Sequence, residues 1–206
     1  METKDVIFGR RSIRKYTNQP ISDEDLQEII EAGLYAPSNV NYQPWYFLVI
    51  KSDEKKKEML EFMSTISKLF HPSLVNRFQK NPEAVEETET FFQGLGGAQV
   101  YILAFLLKND YPDLSSVTQS VSAAIENMLL MAKDKGIGSC WLSVAVRVGK
   151  DEEIRQHFAP DKGPFLAMVT LGYPAEEKTA PPRREGRYAS FTRPKTEKCG
   201  WKSCSF

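Results

Sequence analysis

The amino-acid sequence predicts a layered fold of alternating helices and buried strands, of either the α/β or the α+β class. Apolar runs at 45–50 and 99–107 have the length of buried strands, and a further such run covers 165–171. Residues 115–135 repeat apolar side chains at helical spacing over the longest stretch of that kind. A chain in which these two patterns alternate forms layers around a core.

The helix that precedes the first strand has a start signal and a stop signal in the sequence. Ser22 offers a hydroxyl N-cap to a first turn rich in carboxylates, and apolar side chains then recur at helical spacing up to Ala36. Pro37 cannot continue the helix. A polar loop over 37–44 therefore connects the end of this helix to the strand at 45–50.

The remaining elements have weaker patterns. We expect a short helix over 4–10, a helix from 52 to about 63, helical structure at 83–89, a strand or strand edge over 140–146, and a short helix over 152–157. Prolines are expected to break the stretch between 64 and 92 at His71-Pro72 and at Asn81-Pro82.

The charge balance argues against a nucleic-acid or membrane partner. The 206 residues include 27 Lys and Arg and 27 Asp and Glu, so the formal net charge is zero. Such a chain has no general attraction for polyanions, and any anion site must be local. The longest apolar run, at 100–107, is too short to cross a bilayer.

Cysteine and histidine usage indicates a reducing compartment and no metal site. The 3 cysteines fit no disulfide framework and the chain starts without an apolar leader, so we expect a cytoplasmic protein. Neither of the 2 histidines has Cys or carboxylate ligands at metal-binding spacing. Cys199 and Cys204 have the spacing of a possible redox pair, although a non-functional tail is the favoured interpretation.

A local anion site is predicted at Arg10, Ser12 and Arg14. In an extended backbone these three side chains project to one side, and in a helical turn the two arginines still share a face. Either arrangement brings two guanidinium groups and a hydroxyl together, which suits a phosphate monoester. In an extended chain Arg11 points elsewhere, as a structural residue or a second phosphate contact.

The loop over 37–44 is rich in amide side chains. Asn39, Asn41 and Gln43 each carry a hydrogen-bond donor and an acceptor, as a heterocycle with alternating carbonyl and N–H groups requires. Asn-rich loops are also common turn chemistry. A phosphate site at the arginine segment and amide side chains in the loop over 37–44 would bind the two ends of one ligand. Together they indicate a flavin mononucleotide (FMN) site.

Four segments in order resemble the FMN-dependent nitroreductase family over roughly residues 3–187. They are RRSIR at 10–14, APSNVNYQPW at 36–45, GIGSCWLSV at 136–144 and LGYPAE at 171–176. The resemblance implies an α+β fold, a three-layer α/β/α sandwich with a mainly antiparallel central sheet and a C-terminal arm. It divides the chain into an FMN-binding domain over 1–187 and a tail or dimer-embracing arm over 188–206.

The resemblance also implies where FMN binds. The implied contacts are Arg10, Arg11, Ser12 and Arg14, with Pro37, Ser38, Asn39 and Asn41 approaching from the second subunit of a homodimer. A backbone N–H from the segment containing Cys140, Trp141 and Leu142 faces flavin N5, and either Arg183 or Arg184 reaches the phosphate. No catalytic side chain is implied. Cys140 itself is expected to be a buried packing thiol, and the polar residues Gln119 and Ser120 are expected on a solvated helix face.

The activity implied by the family is reduction of nitroaromatic, quinone or similar acceptors by NAD(P)H, through ping-pong hydride transfer at flavin N5. Family members with other reactions are the first alternative: dehalogenation, heterocycle dehydrogenation or flavin processing. Residues 64–92, which the resemblance places over the active site, would distinguish them. The second alternative is a flavin-binding protein without turnover.

Overall fold

An antiparallel sheet forms the centre of the computed structural model, which describes residues 1–190. Its strands within that range are β1 (Trp45–Ile50), β2 (Val100–Leu106), β3 (Gly138–Leu142) and β4 (Phe165–Gly172). Their order across the sheet is β1-β2-β4-β3, and every neighbouring pair is antiparallel. The central strands β2 and β4 are buried along almost their whole length, whereas β3 lies at an edge.

Helices cover both faces of this sheet. The helices of the described range are α1 (Thr3–Gly9), α2 (Asp23–Leu34), α3 (Asp53–Arg77), α4 (Pro82–Gly94), α5 (Leu114–Asp134), α6 (Val144–Arg147) and α7 (Asp151–Phe158). On one face, Ile29 of α2 and Met128 of α5 pack in the same apolar cluster as Ile102 of β2. On the other, α3, α4, α6 and α7 share a cluster with Leu103 of β2. The predicted α+β three-layer sandwich is confirmed.

Several helix ends follow from local chemistry. The Ser22 hydroxyl accepts a hydrogen bond from the Asp25 backbone N–H at 3.0 Å, as the capping pattern predicts. Asp113 caps α5 in the same way through the Ser115 N–H at 2.9 Å. Helix α2 ends at Leu34, before Pro37, so the loop begins where the proline predicts it.

Two predicted elements are wrong in extent. Helix α3 does not end near residue 63, and it runs through Pro72 to Arg77. Pro72 costs one intrahelical hydrogen bond, but Phe70 and Leu74 on either side are buried in the core, and that packing outweighs the loss. The break predicted at Asn81-Pro82 is present, with Pro82 as the first residue of α4.

The strand predicted over 140–146 ends at Leu142. Residues 144–147 form the short helix α6, in which the Val148 N–H donates to the Val144 carbonyl at 3.1 Å. The β-branched Val144 and Val146 favour a strand locally. The burial of Ala145 against the core overrides that preference, because the helical turn directs this residue inward.

Two further findings concern membrane-spanning helices and metal sites in the described part of the chain. Among its helices, none combines the length and the apolar character needed to span a bilayer. Within residues 1–190, no group of three or more His, Cys, Asp and Glu side chains is placed to hold a metal ion. Cys199, Cys204 and most of the predicted tail or arm lie outside the described residues.

Candidate functional site

The RRSIR segment is extended and lies across the β3 edge of the sheet. Ser12 forms a parallel bridge with Ser139, and the Ile13 N–H donates to the Ser139 carbonyl at 2.9 Å. Further along, the Thr17 N–H donates to the Tyr173 carbonyl at 2.8 Å. Of the two backbone forms considered for this segment, the structure has the extended one, in which alternate side chains share a side.

Paired glycines make room for this crossing. Gly138 of β3 and Gly172 of β4 are register partners at the end of the sheet. A Cβ atom on Gly172 would lie 2.8 Å from the Tyr16 ring, and one on Gly138 would lie 3.0 Å from the Ile13 side chain. The missing side chains therefore let Ile13 and Tyr16 pack directly on the sheet backbone.

The buried side chain of Tyr16 holds the segment against the sheet through hydrogen bonds. Its hydroxyl donates to the Ile13 carbonyl at 2.7 Å and lies 2.9 Å from Thr170 Oγ1. Burial raises the pKa of Tyr16, so the phenol stays protonated and keeps these bonds. The Tyr16 N–H also donates to the Gly96 carbonyl at 2.9 Å, which ties the segment to the turn before β2.

The arginines of the segment have few anionic partners among the described residues. Arg10 Nε lies 3.5 Å from Glu126 Oε1, and the Arg14 guanidinium lies 5.9 Å from the centre of the Phe91 ring. Arg11 Nη1 donates to the Arg10 carbonyl at 2.5 Å, while Arg11 Nε is buried without a hydrogen-bond partner in the described structure. A buried guanidinium N–H without a partner is costly, so this atom points to a ligand that accepts its hydrogen bond.

A cavity of about 650 Å³ lies beside this segment. Its lining includes Arg10 and Arg11 together with Lys133, and also residues 136–139 and 174–178. Ser12 and Arg14 are not among the lining residues, so the structure groups Arg10 and Arg11 at the cavity and leaves the other two outside it. The wall carries two carboxylates, Glu176 and Glu177, but its cations outnumber them because Lys178 joins the two arginines and Lys133, so the cavity can accept an anion.

Two residues of this region were not predicted from the sequence. Lys133 adds a cation to the cavity from the last turn of α5. Glu176 accepts the Arg14 backbone N–H at 2.8 Å and pairs with Lys178 at 3.2 Å. Glu176 is part of the LGYPAE segment, so that motif was the available signal. Lys133 lies just before the GIGSCWLSV segment but belongs to no motif, so nothing in the sequence singled it out.

Of the three residues proposed from β3, Cys140 directly follows Ser139, the bridge partner of Ser12, whereas Trp141 lines a separate cavity. None of the three lines the cavity at Arg10 and Arg11. Cys140 is buried, and burial raises the pKa of its thiol although the charges of Arg14 and Arg10 act in the opposite direction. Trp141 is 36% exposed and Leu142 is half-buried. Arg183 and Arg184 are exposed in an irregular stretch and do not line the cavity.

The amide loop is anchored elsewhere on the same protomer. The Asn39 N–H donates to Ser120 Oγ at 3.1 Å, whereas Arg10 faces α5 at Glu126, about 9 Å further along the helix axis. Pro37, Asn39 and Asn41 are exposed, and the Ser38 hydroxyl accepts the Gln43 N–H at 3.0 Å. The four loop residues predicted to contact flavin are therefore grouped with one another and attached to a different part of α5 from the arginines.

Ser120 corrects one expectation. Gln119 is exposed as predicted, but Ser120 is only 5% exposed and faces the loop. The helical pattern alone could not show this, because the loop that covers Ser120 comes from a distant part of the sequence.

These features define an α+β protein with a local cationic site at the edge of its sheet. The family model described as "Nitroreductase family" matches residues 7–173. "Putative NADH dehydrogenase/NAD(P)H nitroreductase" of Archaeoglobus fulgidus is 36% identical over 176 residues, which cover 84% of this chain and 86% of the relative. The chain belongs to the nitroreductase family, as its motifs predict.

Solved structures agree with this assignment. A BluB-like flavoprotein from Clostridium difficile is 29% identical, with a TM-score of 0.68 over 89% of this chain and 95% of that one. A nitroreductase with bound FMN from Bacteroides fragilis is 25% identical, with a TM-score of 0.71 over 92% of this chain and 98% of that one.

Proposed function

We propose that this chain is an FMN-dependent oxidoreductase that uses NAD(P)H to reduce nitroaromatic, quinone or similar acceptors. The observation that carries the proposal is the extended RRSIR segment at the sheet edge, where Arg10 and Arg11 face a cavity with Lys133. The membership of this chain in the nitroreductase family and the bound FMN of the Bacteroides fragilis nitroreductase support the choice of cofactor.

The residues present fit a phosphate monoester. The unpartnered Arg11 Nε and the weakly paired Arg10 are donors that phosphate oxygens would satisfy. In this proposal Arg10 and Arg11 hold the cofactor from the wall of the cavity, and Ser12, Arg14 and either Arg183 or Arg184 add contacts from outside that wall. When bound, FMN supplies the redox chemistry, with hydride exchange at N5 and a ping-pong order of donor and acceptor.

The protein contributes binding and orientation. A backbone N–H of the segment at Cys140, Trp141 and Leu142 would face N5 and favour negative charge there. Pro37, Ser38, Asn39 and Asn41 would approach the ring from the partner protomer. No side chain in the proposal acts as an acid or base.

A homodimer with sites at its interface is part of the proposal. Apolar side chains next to the loop are unusually exposed: Tyr35 by 87% and Val40 by 74%. Phe8 of α1, beside the arginine segment, is 64% exposed. A second protomer that covered these side chains would bring the loop of one chain to the arginines of the other.

The domain division follows the same proposal. We infer that residues 1–187 form the FMN-binding domain and that residues 188–206 form a tail or an arm on the partner. Cytoplasmic location stays a prediction from cysteine usage.

Steady-state kinetics test this function. With NADPH or NADH varied at several fixed concentrations of a nitroaromatic or quinone acceptor, the proposal expects turnover and parallel double-reciprocal lines, because donor and acceptor share one pocket. FMN-loaded protein that oxidises neither nucleotide would contradict the reductase function and favour a binding protein or another family reaction.

A further inference from the structure

The amide loop has a strained backbone. Val40, Asn41 and Gln43 have positive φ angles of 41°, 56° and 45°. Asn tolerates this left-handed region, but a β-branched residue such as Val40 rarely adopts it. A conformation of this kind persists only where surrounding contacts determine it, and such positions concentrate at binding sites.

Ser120 supplies the polar contact that holds the first half of this loop against α5. Its hydroxyl donates to the Ser116 carbonyl at 2.9 Å, which directs the proton along the helix. A lone pair is then free to accept the Asn39 N–H at 3.1 Å. Ser120 is 5% exposed and Asn39 is exposed, so this bond is partly buried.

The second half of the loop is held by other contacts. The Leu107 N–H donates to the Pro44 carbonyl at 2.8 Å, and the Tyr42 and Tyr111 rings meet edge to face at 5.7 Å. These contacts fix the end of the loop next to β1. Asn39 lies at the other end and depends on α5.

We propose that Ser120 is a positioning residue, which fixes the Asn39 backbone and thereby preorganises the amide loop for the flavin held by the partner protomer. This inference rests on the proposed function. Ser120 does not touch the flavin in this account; it acts through Asn39. Loss of its hydroxyl leaves the Asn39 N–H unpaired and lets the strained loop relax to other conformations.

Ser122 provides a matched control on the same helix. Its hydroxyl donates to the Thr118 carbonyl at 2.9 Å, the same type of intrahelical bond that Ser120 makes to Ser116. Ser122 has no contact with the loop among the hydrogen bonds of residues 1–190. Ser122→Ala therefore removes the common helical bond and spares the loop.

The test compares FMN dissociation constants of wild type, S120A, S122A and S120T by recovery of flavin fluorescence, with thermal unfolding of each apoprotein. We expect S120A to bind FMN about ten-fold more weakly, since an unpaired N–H costs about that much in affinity. S122A should match wild type, and S120T should restore binding because it keeps the hydroxyl. The visible spectrum of FMN-saturated S120A should also differ from wild type, a change that lower stability alone would not cause.

Equal FMN affinity in S120A and S122A, with wild type binding normally, would overturn the role of Ser120 and leave the proposed function intact. Failure of wild type to bind FMN would instead overturn the proposed function.

Discussion

The backbone N–H of Arg14 donates a hydrogen bond to the Glu176 carboxylate at 2.8 Å. This bond joins the arginine segment to residues 174–178, which line the same cavity as Arg10 and Arg11. The two ends of the family's sequence pattern are thus in direct contact at one site. The Glu176 carboxylate orients the Arg14 backbone and leaves the Arg14 guanidinium free for an anion.

Removal of the Glu176 carboxylate should weaken FMN binding. We expect Glu176→Ala to raise the FMN dissociation constant about three- to ten-fold, because the Arg14 N–H loses its acceptor. Glu176→Gln keeps an acceptor oxygen and should have a smaller effect. Fluorescence titration measures both, with Glu24→Ala as a control at an exposed carboxylate away from the cavity. A Glu176→Ala protein with wild-type affinity would contradict the role given to this bond.

Arg14 should contribute directly to FMN retention. Charged hydrogen bonds to phosphate are worth more than neutral ones, so Arg14→Ala is expected to raise the FMN dissociation constant about 10- to 100-fold. Lys15→Ala changes an adjacent exposed cation and should leave affinity near wild type. Equal flavin occupancy after gel filtration of the Arg14→Ala and wild-type proteins would count against the assignment.

Gly96 should be essential for the fold around this site. It has a φ of +64°, and a Cβ there would lie 2.1 Å from the Arg14 carbonyl oxygen. Gly96→Ala is expected to lower the free energy of unfolding by about 2–4 kcal/mol. At Gly94 a Cβ meets nothing within 4 Å, so Gly94→Ala should stay within about 1 kcal/mol of wild type. Urea denaturation measures both, and similar values for the two variants would show that the close approach is unimportant.

Cys140 should be inert in the folded protein. Burial raises the pKa of its thiol, so the reactive thiolate is scarce at neutral pH and the sulfur is inaccessible. In a Cys199→Ser, Cys204→Ser background, we expect thiol reagents to modify Cys140 only as the protein unfolds. Mass spectrometry with and without denaturant follows the reaction. Rapid modification of the native protein would reveal an accessible thiol.

Local signals predicted much of the fold. The Ser22 cap, the Pro37 stop and the strand at Trp45–Ile50 depend on residues close in sequence, and each is present. The errors arise where tertiary packing decides. Core contacts of Phe70 and Leu74 carry α3 through Pro72, and the burial of Ala145 makes a helix from a valine-rich stretch.

The candidate site was only partly predictable from the sequence, because tertiary packing brings some of its residues together. The arginine segment was predicted from its motif as an anion site, with its backbone left open between an extended and a helical form. Lys133, Ser120 and the glycine pair Gly138 and Gly172 depend on contacts between distant parts of the chain. Periodicity places Ser120 on the polar side of α5 but cannot show that a loop covers it.

The most direct test of the account is a visible absorption spectrum of the purified protein, followed by anaerobic addition of NADPH and then NADH. The account predicts flavin absorption bands that bleach when one of these nucleotides is added. A colourless protein that also takes up no added FMN would contradict the account, and the arginine segment would then have only its structural contacts with the edge of the sheet.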